Sequence, residues 1–224
     1  TQIRPQEDGS RAVGHLLCGV EVHATDYRTL VSEIVDAGRE GRSLTVSAVA
    51  THGLMLAYGD PELRWCFNRL DRVVPDGQPV RRALDLVYGT GLRDRVAGPV
   101  LMHRVLTEAA KARLPIFLFG STEETLRALR FRIEARYPGV EVAGVRASVF
   151  RSLTTNEESR LADEIRSSGG RMVFVGLGCP RQEIWLYEWR GRLQLPLLAV
   201  GAAFDFHAGL LRRRQARFVR LKIN

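Results

Sequence analysis

The sequence has few cysteines and no long apolar run. Its 224 residues include three cysteines, Cys18, Cys66 and Cys179, and none of them forms a Cys-x-x-Cys pair. Scattered thiols of this kind are typical of a reducing cytosol, so the sequence predicts no disulfide and no metal site. No stretch of about 18 apolar residues occurs, and residues 1–15 lack the apolar segment of a signal peptide. We therefore expect a cytoplasmic chain that neither spans a membrane nor is exported by such a signal.

Lysine and arginine outnumber aspartate and glutamate, which gives a formal net charge of +8 and a pI near 10.1. An excess of positive charge favours an anionic partner, which could be a nucleic acid, a phosphorylated metabolite or an acidic lipid. No motif that reads RNA or DNA and no aromatic stacking platform accompanies the charge, so we expect no nucleic acid. Much of the excess lies in residues 212–224, which contain no acid: Arg212, Arg213, Arg214, Arg217, Arg220 and Lys222.

Strand patterns and helix patterns alternate along the chain. A hydrophobic content of 45% suits one large α/β domain or two tightly joined lobes. The patterns predict strands at 14–23 (a strand or short hairpin), 44–50, 72–75, 115–120, 140–145, 172–176 and 195–200, with helices between them. This alternation indicates an α/β, Rossmann-like fold with a mainly parallel sheet flanked by helices. We divide the chain into a flexible start (1–13), one domain (14–211) and a basic helical end (212–224).

The most informative stretch is Arg72 to Val80, where a Val-Val strand ends at Asp76 and Gly77 and a helix follows. This pattern places the Asp76 carboxylate at the carboxyl end of a buried strand. Ligands of open α/β sheets bind at that edge, so Asp76 is a candidate catalytic residue. A second interpretation is that Asp76 only caps the following helix. The stretch alone leaves both interpretations open.

Two further junctions between a strand and a helix have the glycines that a diphosphate site needs. They are Phe119-Gly120-Ser121-Thr122 and the run from Val175 to Pro180, and each is expected to direct free backbone N–H groups outward. Ser121 and Glu124 have the spacing of a capping box. The second junction is no dinucleotide fingerprint, because Arg181 stands where the third glycine would be. This argues against an NAD-dependent oxidoreductase, and both junctions could also be ordinary turns.

Several blocks together resemble the WecG/TagA/CpsF glycosyltransferases over about residues 14–212. The blocks are Pro75-Asp76-Gly77, Arg95-Val96-Ala97-Gly98, Phe117-Leu118-Phe119-Gly120, the stretch from Val175 to Glu183 (VGLGCPRQE), and the stretch from Val200 to Gly209 (GAAFDFHAG within it). The resemblance implies a bacterial, metal-independent, inverting hexosyltransferase without a cofactor. Such an enzyme moves an N-acetylhexosamine-type sugar from a UDP donor to a polyprenyl-diphosphate-linked sugar during cell-surface polysaccharide synthesis.

The resemblance also assigns roles by position. It makes Asp76 the general base, Arg95 the residue that binds the diphosphate, and Gln182 a polar residue of the active-site pocket. An inverting transfer needs a carboxylate to take the acceptor's proton and a cation or fixed dipoles for the departing UDP. We expect the remaining substrate contacts from the motif blocks and junctions and from the two residues that follow Ala50: Thr51, His52, Gly77, Gln78, Gly98, Gly120, Ser121, Gly178, Pro180, Arg181, Glu183 and Asp205. Asp205 could instead have a structural role and form a hydrogen bond within its own loop.

Three positions depart from the family pattern. Ala50 stands where many relatives have an asparagine, Val100 where many have an acid, and Arg-Arg-Arg-Gln at 212–215 replaces an Arg-Ala-Pro pattern. These departures leave a non-catalytic sugar-nucleotide or membrane-surface binding protein as an alternative. Apolar residues among the arginines near the end predict an amphipathic segment that binds the inner membrane face. The exact sugar and the oligomeric state, including a homo-oligomer, stay open.

Overall fold

The structure is a computed structural model that describes residues 13–210. Within these residues the strands are β1 (Val13–Leu17), β2 (Val20–Ala24), β3 (Leu44–Val49), β4 (Arg72–Pro75), β5 (Ile116–Gly120), β6 (Val142–Arg146), β7 (Met172–Gly176) and β8 (Pro196–Ala199). The helices are α1 (Tyr27–Glu40), α2 (Thr51–Gly59), α3 (Pro61–Phe67), α4 (Gln78–Tyr88), α5 (Gly98–Ala112), α6 (Glu123–Arg136), α7 (Thr155–Ser167), α8 (Arg181–Trp189) and α9 (Ala203–Ala208).

Six strands form one parallel sheet in the order β4-β3-β8-β7-β5-β6. β1 and β2 form a separate antiparallel hairpin, whose turn at Cys18 and Gly19 has two positive φ angles. The hairpin lies beside β4, where the backbone N–H of Val73 donates to His23 Nδ1 at 3.2 Å. The predicted α/β, Rossmann-like class with its parallel sheet is therefore confirmed. The predicted basic end (212–224) lies outside the described residues.

Both faces of the sheet are covered by helices. Successive side chains of a strand point to opposite faces, and β5 accordingly places Leu118 in one buried cluster and Phe119 in the other. Helices α1, α5, α6 and α9 contribute to the first cluster, and α2, α3, α4, α7 and α8 to the second. Strands that are buried on both faces explain the nearly continuous apolar runs of the sequence.

Some of the helix ends follow the capping chemistry of the sequence. Asp26 caps α1 by accepting from the backbone N–H of Thr29, and Asp60 caps α3 ahead of Pro61. The predicted capping box of Ser121 and Glu124 is wrong, because Thr122 is the N-cap of α6 and accepts from the Thr125 N–H. Ser121 instead has a positive φ of 56° and belongs to the turn that leaves β5.

None of the helices between residues 13 and 210 is both long enough and apolar enough to cross a membrane.

Candidate active site at the carboxyl edge of the sheet

All six parallel strands end at the same edge, and the predicted site residues follow those ends. Asp76, Gly77 and Gln78 follow β4, Thr51 and His52 follow β3, Gly120 and Ser121 end β5, Gly178 to Glu183 follow β7, and Asp205 follows β8. Neighbouring strands of a sheet lie about 4.8 Å apart, so the ends of β4 and β7 are separated by roughly 14 Å. The edge is thus wide enough for an extended ligand to contact both ends.

Asp76 is bound to the beginning of α5. Its backbone N–H continues the sheet by donating to Val49 O at 2.8 Å, and its carboxylate Oδ2 accepts from the Gly98 N–H at 3.1 Å. The N-cap of α4 is Gly77, and no side chain caps that helix. The interpretation of Asp76 as the cap of the following helix is therefore wrong. The carboxylate holds a helix that begins 22 residues further along the chain.

The surroundings of Asp76 change its proton affinity. The side chain is half-buried, and this burial raises the pKa of the carboxyl group, while the Gly98 N–H and the Arg95 cation partly oppose the rise. A carboxylate that is less hydrated and has a raised pKa takes up a proton more readily than an exposed one. The geometry therefore suits a group that accepts a proton.

Arg95 lies on a loop that is fixed on both sides. The following residue, Val96, donates its backbone N–H to Pro75 O at 2.8 Å, and Ala97 donates to the Tyr27 hydroxyl at 2.7 Å. Burial raises the pKa of Tyr27 to about 12, so this hydroxyl stays neutral. The half-buried Arg95 guanidinium makes no hydrogen bond or ion pair with a side chain or carbonyl of residues 13–210. Arg95 thus places a positive charge beside the Asp76 carboxylate.

Asp94 connects this loop to α4. Its Oδ1 accepts from the Gln78 side-chain nitrogen at 3.2 Å and from the Arg95 backbone N–H at 2.8 Å. On the other side of Gln78, the oxygen of the same side chain accepts from Arg81 at 2.9 Å. Gln78 therefore joins α4 to the loop of Arg95, with both ends of its amide occupied.

Gly120 and Gly176 lie in close contact where β5 and β7 end. A Cβ at Gly120 would stand 2.7 Å from the Gly176 carbonyl, and its φ of 111° also requires glycine. The next backbone N–H, that of Ser121, donates to Gly176 O at 2.9 Å. The expectation that this N–H is free for a diphosphate is therefore wrong, because the contact between the two strand ends uses it.

The second junction leads into α8. Gly178 accepts the backbone N–H of Gln182 at 3.0 Å, and Arg181 opens the helix after Pro180. The Arg181 guanidinium lies 3.4 Å from Ser148 Oγ and 5.8 Å from the centre of the Phe150 ring. It borders a cavity of about 240 Å³ between the ends of β5, β6 and β7. Arg181 is thus a second cation at the edge, on the side away from Asp76.

Gln182 and Glu183 are buried under this junction, with 4% and 1% of their surface exposed. Glu183 Oε1 accepts from Ser47 Oγ on β3 at 2.9 Å and from Gln182 Nε2 at 2.8 Å. Burial raises the pKa of Glu183, against the effect of these two hydrogen bonds. Glu183 was predicted as a substrate contact, but in the structure its polar partners are protein groups beneath the edge.

Thr51 and His52 are exposed in the first turn of α2. They follow Ala50, the residue that differs from the asparagine of many relatives. Asp205 lies in the first turn of α9 and is half-buried, so the expected loop at this position is instead a short helix. The described residues contain no group of three or more His, Cys, Asp or Glu side chains that could hold a metal ion.

Three residues at or beneath the edge were missed by the sequence analysis: Tyr27, Ser47 and Ser148. Ser47 carried a signal, because a polar residue in the middle of the apolar run Leu44–Val49 needs a buried partner. Tyr27 and Ser148 carried none, since each is one polar residue near the end of an element. Their importance depends on contacts with Ala97 and Arg181, which are distant in the sequence.

The fold and the edge together define a Rossmann-like α/β protein with a carboxylate and two arginines at the carboxyl ends of a parallel sheet. The chain belongs to the glycosyl transferase WecG/TagA/CpsF family, whose model matches residues 15–223. The resemblance inferred from the sequence blocks is thus confirmed.

Two curated relatives carry the same description, "N-acetylglucosaminyldiphosphoundecaprenol N-acetyl-beta-D-mannosaminyltransferase". The protein of Bacillus spizizenii (strain W23) is 27% identical over 75% of this chain and 63% of its own length. The protein of Bacillus subtilis (strain 168) is 27% identical over 67% of this chain and 57% of its own length. The chain therefore spans about three fifths of the curated relatives it matches.

Proposed function

We propose that this chain carries the catalytic domain of an inverting glycosyltransferase that uses a UDP-sugar. The sugar is of the N-acetylhexosamine type, similar to N-acetylmannosamine, and the acceptor is a sugar linked to polyprenyl diphosphate. The observation that carries the proposal is the half-buried Asp76 carboxylate at the carboxyl edge beside Arg95, whose guanidinium has no ion pair with residues 13–210. The names of the two relatives support the same donor sugar and acceptor class.

The reaction needs one base and one stabiliser of a leaving diphosphate. Asp76 takes the proton of the acceptor hydroxyl as its oxygen forms a bond to the anomeric carbon, and the bond from that carbon to the UDP oxygen breaks. Arg95 stabilises the negative charge that develops on UDP, and the beginning of α5 beside it adds a partial positive charge. Attack from the face opposite to UDP inverts the anomeric centre. Gln182, Arg181 and the residues at the ends of β3 and β8 line the remainder of the substrate path in this proposal.

The test is a calorimetric panel of UDP, UDP-N-acetylhexosamines and NADH, followed by a transfer assay with a lipid-diphosphate sugar acceptor. We expect UDP and UDP-sugars to bind. They should also raise the melting temperature, because a ligand that binds only the native state stabilises it. We expect no response to NADH. Binding without transfer would support a non-catalytic sugar-nucleotide protein instead, and NADH binding without UDP binding would support an oxidoreductase.

We also propose that residues 212–224 bring the enzyme to the inner face of the membrane. The support is their charge, since basic residues near an anionic bilayer each contribute about 1 kcal/mol of binding. Deleting residues 212–224 should reduce co-sedimentation with anionic liposomes while UDP affinity stays within about twofold, a change smaller than one lost charged contact. Equal co-sedimentation before and after the deletion would contradict this role.

A further inference from the structure

Two oxygen atoms near the carboxyl edge are buried and accept no hydrogen bond from an N–H or O–H group of the described residues, although the weakly donating Cys179 thiol interacts with the Glu183 carboxyl group. They are Gln182 Oε1 and Glu183 Oε2. Buried polar atoms in native proteins nearly always have a partner, and an orphan costs about 1–3 kcal/mol. The two oxygens belong to adjacent residues in one turn of α8, so their hydrogen bonds must be considered together.

The hydrogen bonds of Glu183 Oε1 and Gln182 Nε2 determine which way the Gln182 amide faces. Ser47 Oγ and Gln182 Nε2 both approach Glu183 Oε1, at 2.9 and 2.8 Å. An amide nitrogen only donates and an amide oxygen only accepts. With its nitrogen held by Glu183, the Gln182 amide must turn its oxygen away from the carboxyl group.

The amide lies at the functional edge. A Cβ at Gly201, the residue that follows the end of β8 and Val200, would be 3.6 Å from both polar atoms of the Gln182 amide. Gln182 itself lies in the first turn of α8, after the glycine junction of β7. The unpartnered oxygen is therefore between the ends of β7 and β8, at the middle of the sheet.

We propose that Glu183 is a positioning residue: it holds the nitrogen of Gln182 so that the Gln182 oxygen accepts a hydrogen bond from a hydroxyl or N–H group of the bound sugar nucleotide. This inference rests on the proposed function for the identity of the ligand. Glu183 does not touch the ligand, and its oxygen acts only as an acceptor. A neutral carboxamide at position 183 would offer the same acceptor, so the role does not require a charge. The raised pKa of Glu183 agrees with this reading.

The proposal predicts different results for two variants of nearly equal size. Glu183→Gln keeps an acceptor oxygen for Ser47 and Gln182, so kcat/KM for the UDP-sugar should stay within about threefold, because the hydrogen bonds survive. Glu183→Met fills the space without an acceptor and releases the amide, so kcat/KM should fall by about tenfold or more. Glu141→Gln, an exposed position just before β6 at the opposite end of the sheet, is the control and should be silent.

A double-mutant cycle separates positioning from packing. In a Gln182→Ala background no amide remains to be held, so adding Glu183→Met should cause little further loss. If Glu183→Met costs the same factor with and without Gln182, the residue acts on stability or packing and the proposal is wrong. Loss of activity in Glu183→Gln equal to that in Glu183→Met would show that the charge is what matters, and would also overturn it.

A measurement without ligand keeps the inference independent of the proposed function. The side-chain NH₂ resonance of Gln182 is assigned by its disappearance in Gln182→Ala, and its hydrogen exchange reports whether the nitrogen is held. We expect slow exchange in the parent and in Glu183→Gln, and fast exchange in Glu183→Met. Fast exchange in the parent overturns the proposal even if transfer activity is found. Slow exchange with no transfer to any acceptor leaves the positioning intact and rejects the proposed function.

Discussion

The Oδ2 atom of Asp76 and the backbone nitrogen of Gly98 lie 3.1 Å apart, and this hydrogen bond joins the end of β4 to the beginning of α5. A Cβ at Gly98 would stand 3.6 Å from the same carboxylate oxygen and 2.8 Å from Val200 O. The other oxygen of Asp76 accepts no hydrogen bond from residues 13–210. One oxygen therefore orients the carboxylate, and in the proposed reaction the other oxygen takes the proton of the acceptor.

Replacing Asp76 by asparagine should abolish most of the transfer activity. Asparagine keeps the acceptor for Gly98 but cannot take up a proton, and general-base catalysis contributes about 10²–10⁴-fold. We expect turnover of a UDP-N-acetylhexosamine to fall by about that factor while UDP affinity is unchanged, as measured by steady-state transfer and calorimetry. Turnover within about threefold of the parent, far short of that range, would mean that Asp76 is not the base.

The thermal stability of Asp76→Asn is the control for its transfer activity. Burial raises the pKa of Asp76 in the folded protein above the ordinary value of 3.8. The folded state thus binds more protons than the unfolded state just above pH 3.8, and stability falls as the pH rises through the folded pKa. Asparagine lacks this loss, so Asp76→Asn should melt at or above the parent temperature at neutral pH. A low rate then cannot be attributed to unfolding.

Arg95→Ala should weaken UDP binding and slow transfer. A charge-assisted hydrogen bond contributes about 1.5–3 kcal/mol. Its loss corresponds to a dissociation constant that is roughly 10- to 150-fold higher. The matched control is Arg93→Ala, which removes the same charge from an exposed position on the same loop. Equal UDP affinity in the two variants by calorimetry would show that Arg95 contributes only to the general positive field.

Gly98→Ala should disturb the contact between Asp76 and α5. The added methyl group would meet Val200 O at 2.8 Å, a backbone atom that cannot rotate away. We expect a lower melting temperature and lower transfer activity together, because α5 must move away from both β8 and Asp76. Gly59→Ala is the control, since nothing lies within 4 Å of its added Cβ at the end of α2. If Gly98→Ala matches Gly59→Ala in a thermal melt, the contact is not tight.

His207 should make the protein sensitive to mild acid. Its Nε2 donates to Pro99 O at 2.9 Å, and burial lowers its pKa to about 4 from 6.5, with Arg136 and His103 adding to the effect. The unfolded state binds a proton below pH 6.5 while the folded state does not, so stability falls as the pH drops from about 6.5 towards 4. For a shift of this size the loss between pH 7 and pH 5 is about 2 kcal/mol.

The check is urea unfolding of the parent and of His207→Gln at both pH values. Glutamine can donate to Pro99 O but does not titrate, so the loss of unfolding free energy between pH 7 and pH 5 should be smaller in the variant. His52→Gln, at an exposed position, should leave the loss unchanged. An equal pH dependence in parent and His207→Gln would show that other groups cause the acid sensitivity.

The elements of this fold were largely predictable from local chemistry. The strand β5 was expected at 115–120 and occupies Ile116–Gly120, and α3 begins at Asp60 and Pro61 as expected. Such signals are local, because a cap or an apolar run acts within a few residues. The expected box at Ser121 failed because Ser121 N–H pairs with Gly176 O, a partner 55 residues away that outweighs the local motif.

The sequence by itself determined the parallel α/β class, the family and the position of Asp76 at a strand end, since these follow from periodicity and from residue blocks. Only the tertiary structure decided what each polar group contacts. Asp76 binds Gly98 rather than its own helix, Tyr27 fixes the loop of Arg95, and Ser47 on β3 meets Glu183 on α8. Hydrogen bonds act over about 3 Å, so their partners are known only once the sheet has brought distant strand ends together.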